Sequence, residues 1–129
     1  MSGKQRLLDA FFIQFSLFLD EVCRVFPNQP EFRAYHAGLR LLRATNPLMV
    51  MAEFKRNVEP YETELRKKDD SFFLAHSFDS ESGGDPTVGN MINTIKGLWN
   101  DETTTPQIKT AILDYVILLL TVCKHYYTI

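Results

Sequence analysis

Apolar positions recur at alternating spacings of 4 and 3 near both ends of this chain. Between Lys4 and Phe26 they fall at Leu8, Phe12, Phe15, Leu19, Val22 and Phe26, and Leu7, Phe11, Phe18 and Val25 widen the stripe. This period predicts one broad face of an α-helix. Pro27, Asn28 and Pro30 end it, because proline lacks a backbone donor and turns the residue before it away from helical geometry. A second helix is predicted from about Glu31 to Ala44, with Phe32, Tyr35, Leu39 and Leu42 inward and Arg33, Arg40 and Arg43 towards water. Asn46-Pro47 reads as a cap followed by a first-turn proline. It opens a third helix whose inward stripe is Met51, Phe54 and Val58.

Pro60 restarts or kinks the chain, and Tyr61 to Lys68 reads as a short helix with its acidic residues first and Arg66, Lys67 and Lys68 last, the order that suits the helix dipole. Asp69 to Leu74 reads as a turn that folds Phe72 and Phe73 back on the bundle. Ser77 to Pro86 is mostly Ser, Asp, Glu and Gly, the composition of a flexible loop. A further helix is predicted from about Thr87 to Asn100, with Val88, Ile92, Ile95 and Trp99 in register. Thr103 to Thr105 and Pro106 then open the last helix, which runs to about Tyr126 with Ile108, Ile112, Tyr115, Leu119, Val122 and Tyr126 as its stripe. Ile117, Leu118 and Leu120 lie off that stripe, so this helix is apolar over much of its circumference and is expected at the centre. The uninterrupted apolar run from Tyr115 to Leu120 falls far short of the roughly 20 residues of a membrane span, and Asp114 and Lys124 flank it closely. No membrane span is therefore expected. No internal repeat and no strand-like alternation is evident. The expected architecture is all-α: a single domain over residues 1–129, a bundle of five or six helices in which the long terminal helices pack together.

Composition adds two constraints. Of 129 residues 58 are hydrophobic, enough for a core without a metal or a disulfide. The net charge of −2 conceals +3 over residues 1–68 and −5 over residues 69–129. The first half could therefore offer a basic face, although the total lacks the strong basic excess of most nucleic-acid domains. Cys23 and Cys123 both sit inside apolar helical patterns and read as buried free thiols. A bridge between them is the alternative, and requires the first and last helices to be neighbours. The first apolar run is broken by Asp9 and Gln14 and lacks a small-residue cleavage site, so it does not read as a signal peptide. Gly3 stands one place too late for myristoylation.

The residues that could carry chemistry are scattered. His36, His76 and His125 have no partners at metal-ligand spacing, and no cofactor or metal is expected. Both thiols lie late in their helices, away from the helix start that activates a nucleophile. Gly83-Gly84-Asp85 is too short and too acidic for a phosphate cradle. The pairs Asp20-Glu21, Asp69-Asp70 and Asp101-Glu102 are adjacent residues that do not face one another on a helix. An enzyme would need His36 or His76 to meet carboxylates in a pocket. Two surfaces remain: a basic contact face formed by Arg33, Arg40, Arg43, Lys55 and Arg56, and interface anchors among the 16 aromatic residues, namely Phe72, Phe73, Tyr126 and Tyr127. Most other aromatics are expected in the core.

The succession FPNQPEFRAYHAGLRLLRATNP, VEPY, KKDDSFFL and INTIKGLWND, followed by a helix ending KHYY, resembles a family of small uncharacterised helical proteins of nucleocytoplasmic large DNA viruses. Asn46-Pro47, Pro60-Tyr61, Asp70, Phe73 and Trp99 carry the likeness. The resemblance implies a viral protein of the host cytosol or the virion, and it transfers no catalytic residue. Together these readings predict a non-enzymatic protein that binds a protein partner or a second copy of itself. The alternative is a nucleic-acid accessory protein that uses the basic face.

Overall fold

A computed structural model of the chain describes residues 2–68 and 87–129. Helix α1 (Gly3–Val25) starts where the Ser2 hydroxyl accepts the Gln5 N–H at 3.1 Å. The Ser-x-x-Gln order is that of a capping box. The helix closes as the Phe26 N–H donates to the Val22 carbonyl, one residue before Pro27. Helix α2 (Glu31–Thr45) and helix α3 (Pro47–Val58) are separated by Asn46 alone. Here the expected cap differs. The Asn46 side chain makes no capping bond to α3, and its Nδ2 instead lies 3.6 Å from the Met49 sulfur. Its backbone N–H donates to the Leu42 carbonyl at 2.7 Å, so the residue closes the helix behind it.

Pro60 does not start an α-helix directly. Glu59–Tyr61 forms a single 3-10 turn, and α4 (Glu62–Arg66) follows. Lys68 then takes a left-handed backbone with φ of 58°, the conformation that commonly ends a helix. Helix α5 (Thr87–Leu98) is closed by the Thr104 hydroxyl, which is buried and donates to the Leu98 carbonyl at 2.7 Å. Helix α6 (Pro106–Thr128) is capped by Thr105, whose hydroxyl accepts the Ile108 N–H at 3.3 Å. The predicted Thr cap with Pro106 in the first turn is the one observed.

These elements form an all-α bundle, with six α-helices and no strand among the described residues. Helices α1 and α6 lie side by side and antiparallel. Lys4 Nζ sits 5.2 Å over the Tyr126 ring at one end, and Phe18 stacks on Tyr115 at 5.3 Å further along. Helix α6 also packs on α3 and α4, whereas α2 packs on α1, α3 and α5. The centre is aromatic: Phe11, Phe15 and Phe54 meet edge to face, with centroids 5.5 to 5.7 Å apart. Trp99 and the four α5 residues Val88, Met91, Ile92 and Ile95 are buried beside it.

The face of α6 differs from the expected one. Ile112, Leu113, Val116, Leu119, Leu120 and Cys123 are buried, while Ile108, Tyr115, Val122 and Tyr126 are half-buried. A helix that is apolar on most sides has no single dominant stripe, and the neighbours on its two flanks choose the face. Helix α6 is also long and apolar enough to cross a membrane by length and composition alone. In the bundle a third of its most apolar 18-residue stretch is buried.

Polar links tie the layers. The Tyr35 hydroxyl is 3.0 Å from Thr94 Oγ1 between α2 and α5. Glu62 receives Lys124 at 2.6 Å and Arg66 at 2.7 Å, which joins α4 to α6. The predicted turn with Phe72 and Phe73, His76, and the Ser77 to Pro86 loop lie outside the described residues.

Two outcomes follow from this packing. Phe54→Ala should cost about 3–5 kcal/mol in urea unfolding, the usual cost of a phenylalanine cavity in a core. Leu41→Ala, on the opposite side of its helix from the core, should change stability by less than about 0.5 kcal/mol. The second outcome concerns acid. Hydrogen bonds from Lys124 and Arg66 hold the Glu62 carboxyl below its ordinary value of 4.5. A carboxylate with a depressed folded pKa contributes stability that is present above the unfolded value and lost as pH falls through the folded one. Urea midpoints should therefore drop more steeply below about pH 4.5 for the wild type than for Glu62→Gln.

Candidate functional site

Helix α2 carries two apolar stripes. Phe32 and Leu39 are buried, with Tyr35 and Leu42 half-buried beside them. At 100° per residue, Leu41 stands on the opposite side from Leu39. Ala34, Ala37, Leu41 and Ala44, at spacings of 3, 4 and 3, form a second row, and all four are exposed. Leu41 is the extreme case at 65% exposure. Leu48, in the first turn of α3, is also exposed, as are Ile13 and Leu17 on α1. A single inward stripe accounts for the core side of α2 and leaves this second row unassigned. The signal was present, since the row has the same spacing as the first.

The basic residues frame part of this surface. Arg33 and Arg40 are seven apart, and each directly precedes a member of the row, so both stand on the same edge. Arg40 Nη2 is 3.4 Å from His36 Nδ1, and neither arginine pairs with a carboxylate among the described residues. Arg43 turns to α1 instead, 3.5 Å from Asp9 and 5.8 Å from the Phe12 ring centroid. Lys55 and Arg56 stand apart on α3. Lys55 pairs with Glu59 at 3.1 Å and lies 5.6 Å over the Tyr127 ring, and Arg56 pairs with Glu53. The five cations therefore divide into one group on the α1–α2 surface and another beside the last turn of α6.

The candidate anchors divide as well. Tyr126 is half-buried, and Tyr127 is 45% exposed. They meet edge to face at 5.2 Å, and Lys4 and Lys55 occupy a face of each. Phe72 and Phe73 lie outside the described residues. The other phenylalanines named as helix stripes, Phe11, Phe12, Phe15, Phe18, Phe26, Phe32 and Phe54, are buried. Among the described residues the exposed large apolar side chains are thus mostly aliphatic.

An open apolar cleft of about 200 Å3 lies between α1 and α6, walled by Phe18, Val22, Val25, Ile108, Ile112 and Tyr115, with the Arg24–Glu21 pair at its rim. A second hollow, of about 390 Å3, is formed by Ala52, Lys55, Arg56, Glu59, Pro60 and Tyr127. His36 Nε2 is 3.4 Å from Asp20 Oδ1 but lacks hydrogen-bond geometry to it. This contact bridges α1 and α2 and lines neither hollow. No group of three His, Cys, Asp or Glu able to hold a metal occurs among the described residues.

Both cysteines are free thiols. Burial pushes Cys123 up to about 12, and desolvation also raises Cys23. The thiolate is the nucleophilic form, so these environments suppress reactivity. Comparison with known proteins brings no relative to bear on the site: no family model, no characterised protein and no solved structure matches the chain.

Cys23 is half-buried and Cys123 fully buried, and alkylation should reflect the difference. In native protein at neutral pH, iodoacetamide followed by mass spectrometry should leave Cys123 unmodified. In urea above the unfolding transition both cysteines should react. Fast native labelling of Cys123 would contradict the burial described here.

Proposed function

We propose that this chain is a non-enzymatic helical interaction protein that receives a protein partner on the outer face of α2. Leu41 is the observation that carries the reading. Its side chain is 65% exposed in the middle of an apolar row, on a helix whose core face is already furnished by Phe32 and Leu39. Burying a leucine is worth about 1.5–3 kcal/mol, a contribution that α2 leaves unused within this chain. Alanine at the other three positions favours the helix by itself. Leucine 41 gains nothing comparable by facing water, whereas a row at spacings of 3, 4 and 3 is the form in which one helix receives another.

The rival reading, a nucleic-acid accessory protein, draws on Arg33, Arg40, Arg43, Lys55 and Arg56. Phosphate binding favours a dense set of cations free to displace counterions. Arg43, Lys55 and Arg56 each already face a carboxylate, and the set is split between two surfaces. The protein reading therefore takes precedence. The resemblance of the segment order to small helical proteins of large DNA viruses extends the same proposal to a viral source, with residence in the host cytosol or the virion.

The test pairs light scattering across a concentration series with affinity capture from host lysate, using wild type and Leu41→Glu. The expected result is a captured protein, or a larger species, that the variant loses while its circular dichroism is unchanged. A chain that stays monomeric and captures the same proteins with or without Leu41 would overturn the proposal.

A further inference from the structure

We infer that the occupant of the α2 outer face is a single acidic amphipathic helix from a partner protein, and not a second copy of this chain; the inference rests on the function proposed above. Its first support is shape. Ala34, Ala37 and Ala44 project one carbon each, so a helix laid along the row can approach to the short end of the usual 8–10 Å interaxial range. Large aliphatic side chains on the incoming helix would fill the space above the alanines, and Leu41 would enter a hole between four of them.

The second support is charge. Arg33 and Arg40 line one edge of the row, a heptad apart, and have no carboxylate partner among the described residues. Two copies of α2 cannot satisfy them. In an antiparallel pair the same edges meet, so arginine faces arginine. In a parallel pair Arg33 and Arg40 face Gly38 and Thr45 of the other copy, which offer no charge. Glutamate or aspartate at positions seven apart on the incoming helix meets both guanidinium groups. Charges at such flanking positions set the choice of partner more than the strength of binding. A membrane surface is the other apolar and anionic candidate. Three of the four row residues are alanine, with no aromatic among them, which gives little depth of apolar side chain to insert.

The test uses a fluorescein-labelled synthetic helix of about three heptads, with leucine along its seam and glutamate on both flanks. A second peptide with lysine flanks is the control. Fluorescence anisotropy should show binding of the acidic peptide to the full chain, weakening as salt is raised. The Arg33→Glu, Arg40→Glu double variant should weaken it by about tenfold or more, Arg33→Gln with Arg40→Gln should weaken it less, and Leu41→Glu should abolish it. Equal or tighter binding of the lysine peptide, or no binding of the acidic one, would overturn the inference. So would preferential binding to phosphatidylserine vesicles, or dimerisation of the wild type that Leu41→Glu removes. A lysate partner lost on Leu41→Glu but indifferent to both arginine variants would overturn the acidic helix and leave the interaction function standing. Absence of any partner, dimer or peptide binding would overturn both.

Discussion

Antiparallel contact between α1 and α6 is the constraint from which the rest of the bundle follows. The two longest helices bring Phe18 onto Tyr115 and Lys4 onto Tyr126, and so fix where α1 can present its other apolar residues. Phe11 and Phe15 then turn towards Phe54 on α3. Because α3 follows α2 after one residue, the position of α2 is set by the same contact. Helix α2 fills a remaining side of the core with Phe32 and Leu39, and its opposite side has no neighbour among the described residues. The unpartnered row is thus a product of how the core closes.

Much of this was legible in the sequence, for reasons that differ along the chain. The stripe of α1 reads directly, because between Leu8 and Phe26 its polar residues lie off the face that carries Phe11, Phe15, Leu19 and Val22. The Thr105-Pro106 start of α6 also reads directly, since cap and proline state the same boundary. The buried face of α6 does not. With Ile117, Leu118 and Leu120 outside the stripe, several faces satisfy the periodicity, and only the flanking helices decide among them. Asn46 shows a similar limit: a residue between two helices can serve either, and its residue type does not say which.

The candidate site was half legible. Arg33, Arg40 and Arg43 were read as solvent-facing, and they are. Their separation from Lys55 and Arg56 depends on packing that no local pattern encodes, since Asp9 reaches Arg43 from another helix, whereas Lys55 meets Glu59 four residues on in its own chain segment. The aromatic content suggested interface anchors, yet Phe11, Phe12, Phe15, Phe18 and Phe54 were needed for the core, and the tyrosines at the end of α6 are engaged by lysines. The aliphatic row of α2 was present in the spacing throughout. It was masked by the alanines, which read as helix formers before they read as a surface.

The thiol of Cys123 carries a consequence of a different kind. It is fully buried, with its sulfur 3.9 Å from the Met51 carbonyl oxygen, and a close-packed interior accommodates added bulk such as a mixed disulfide poorly. An oxidant can therefore reach it only when the chain has opened, and once modified the side chain no longer fits the place it left. Each such event is recorded in the molecule that suffered it, and the fraction of chains bearing the mark becomes a clock of how often the bundle has come apart.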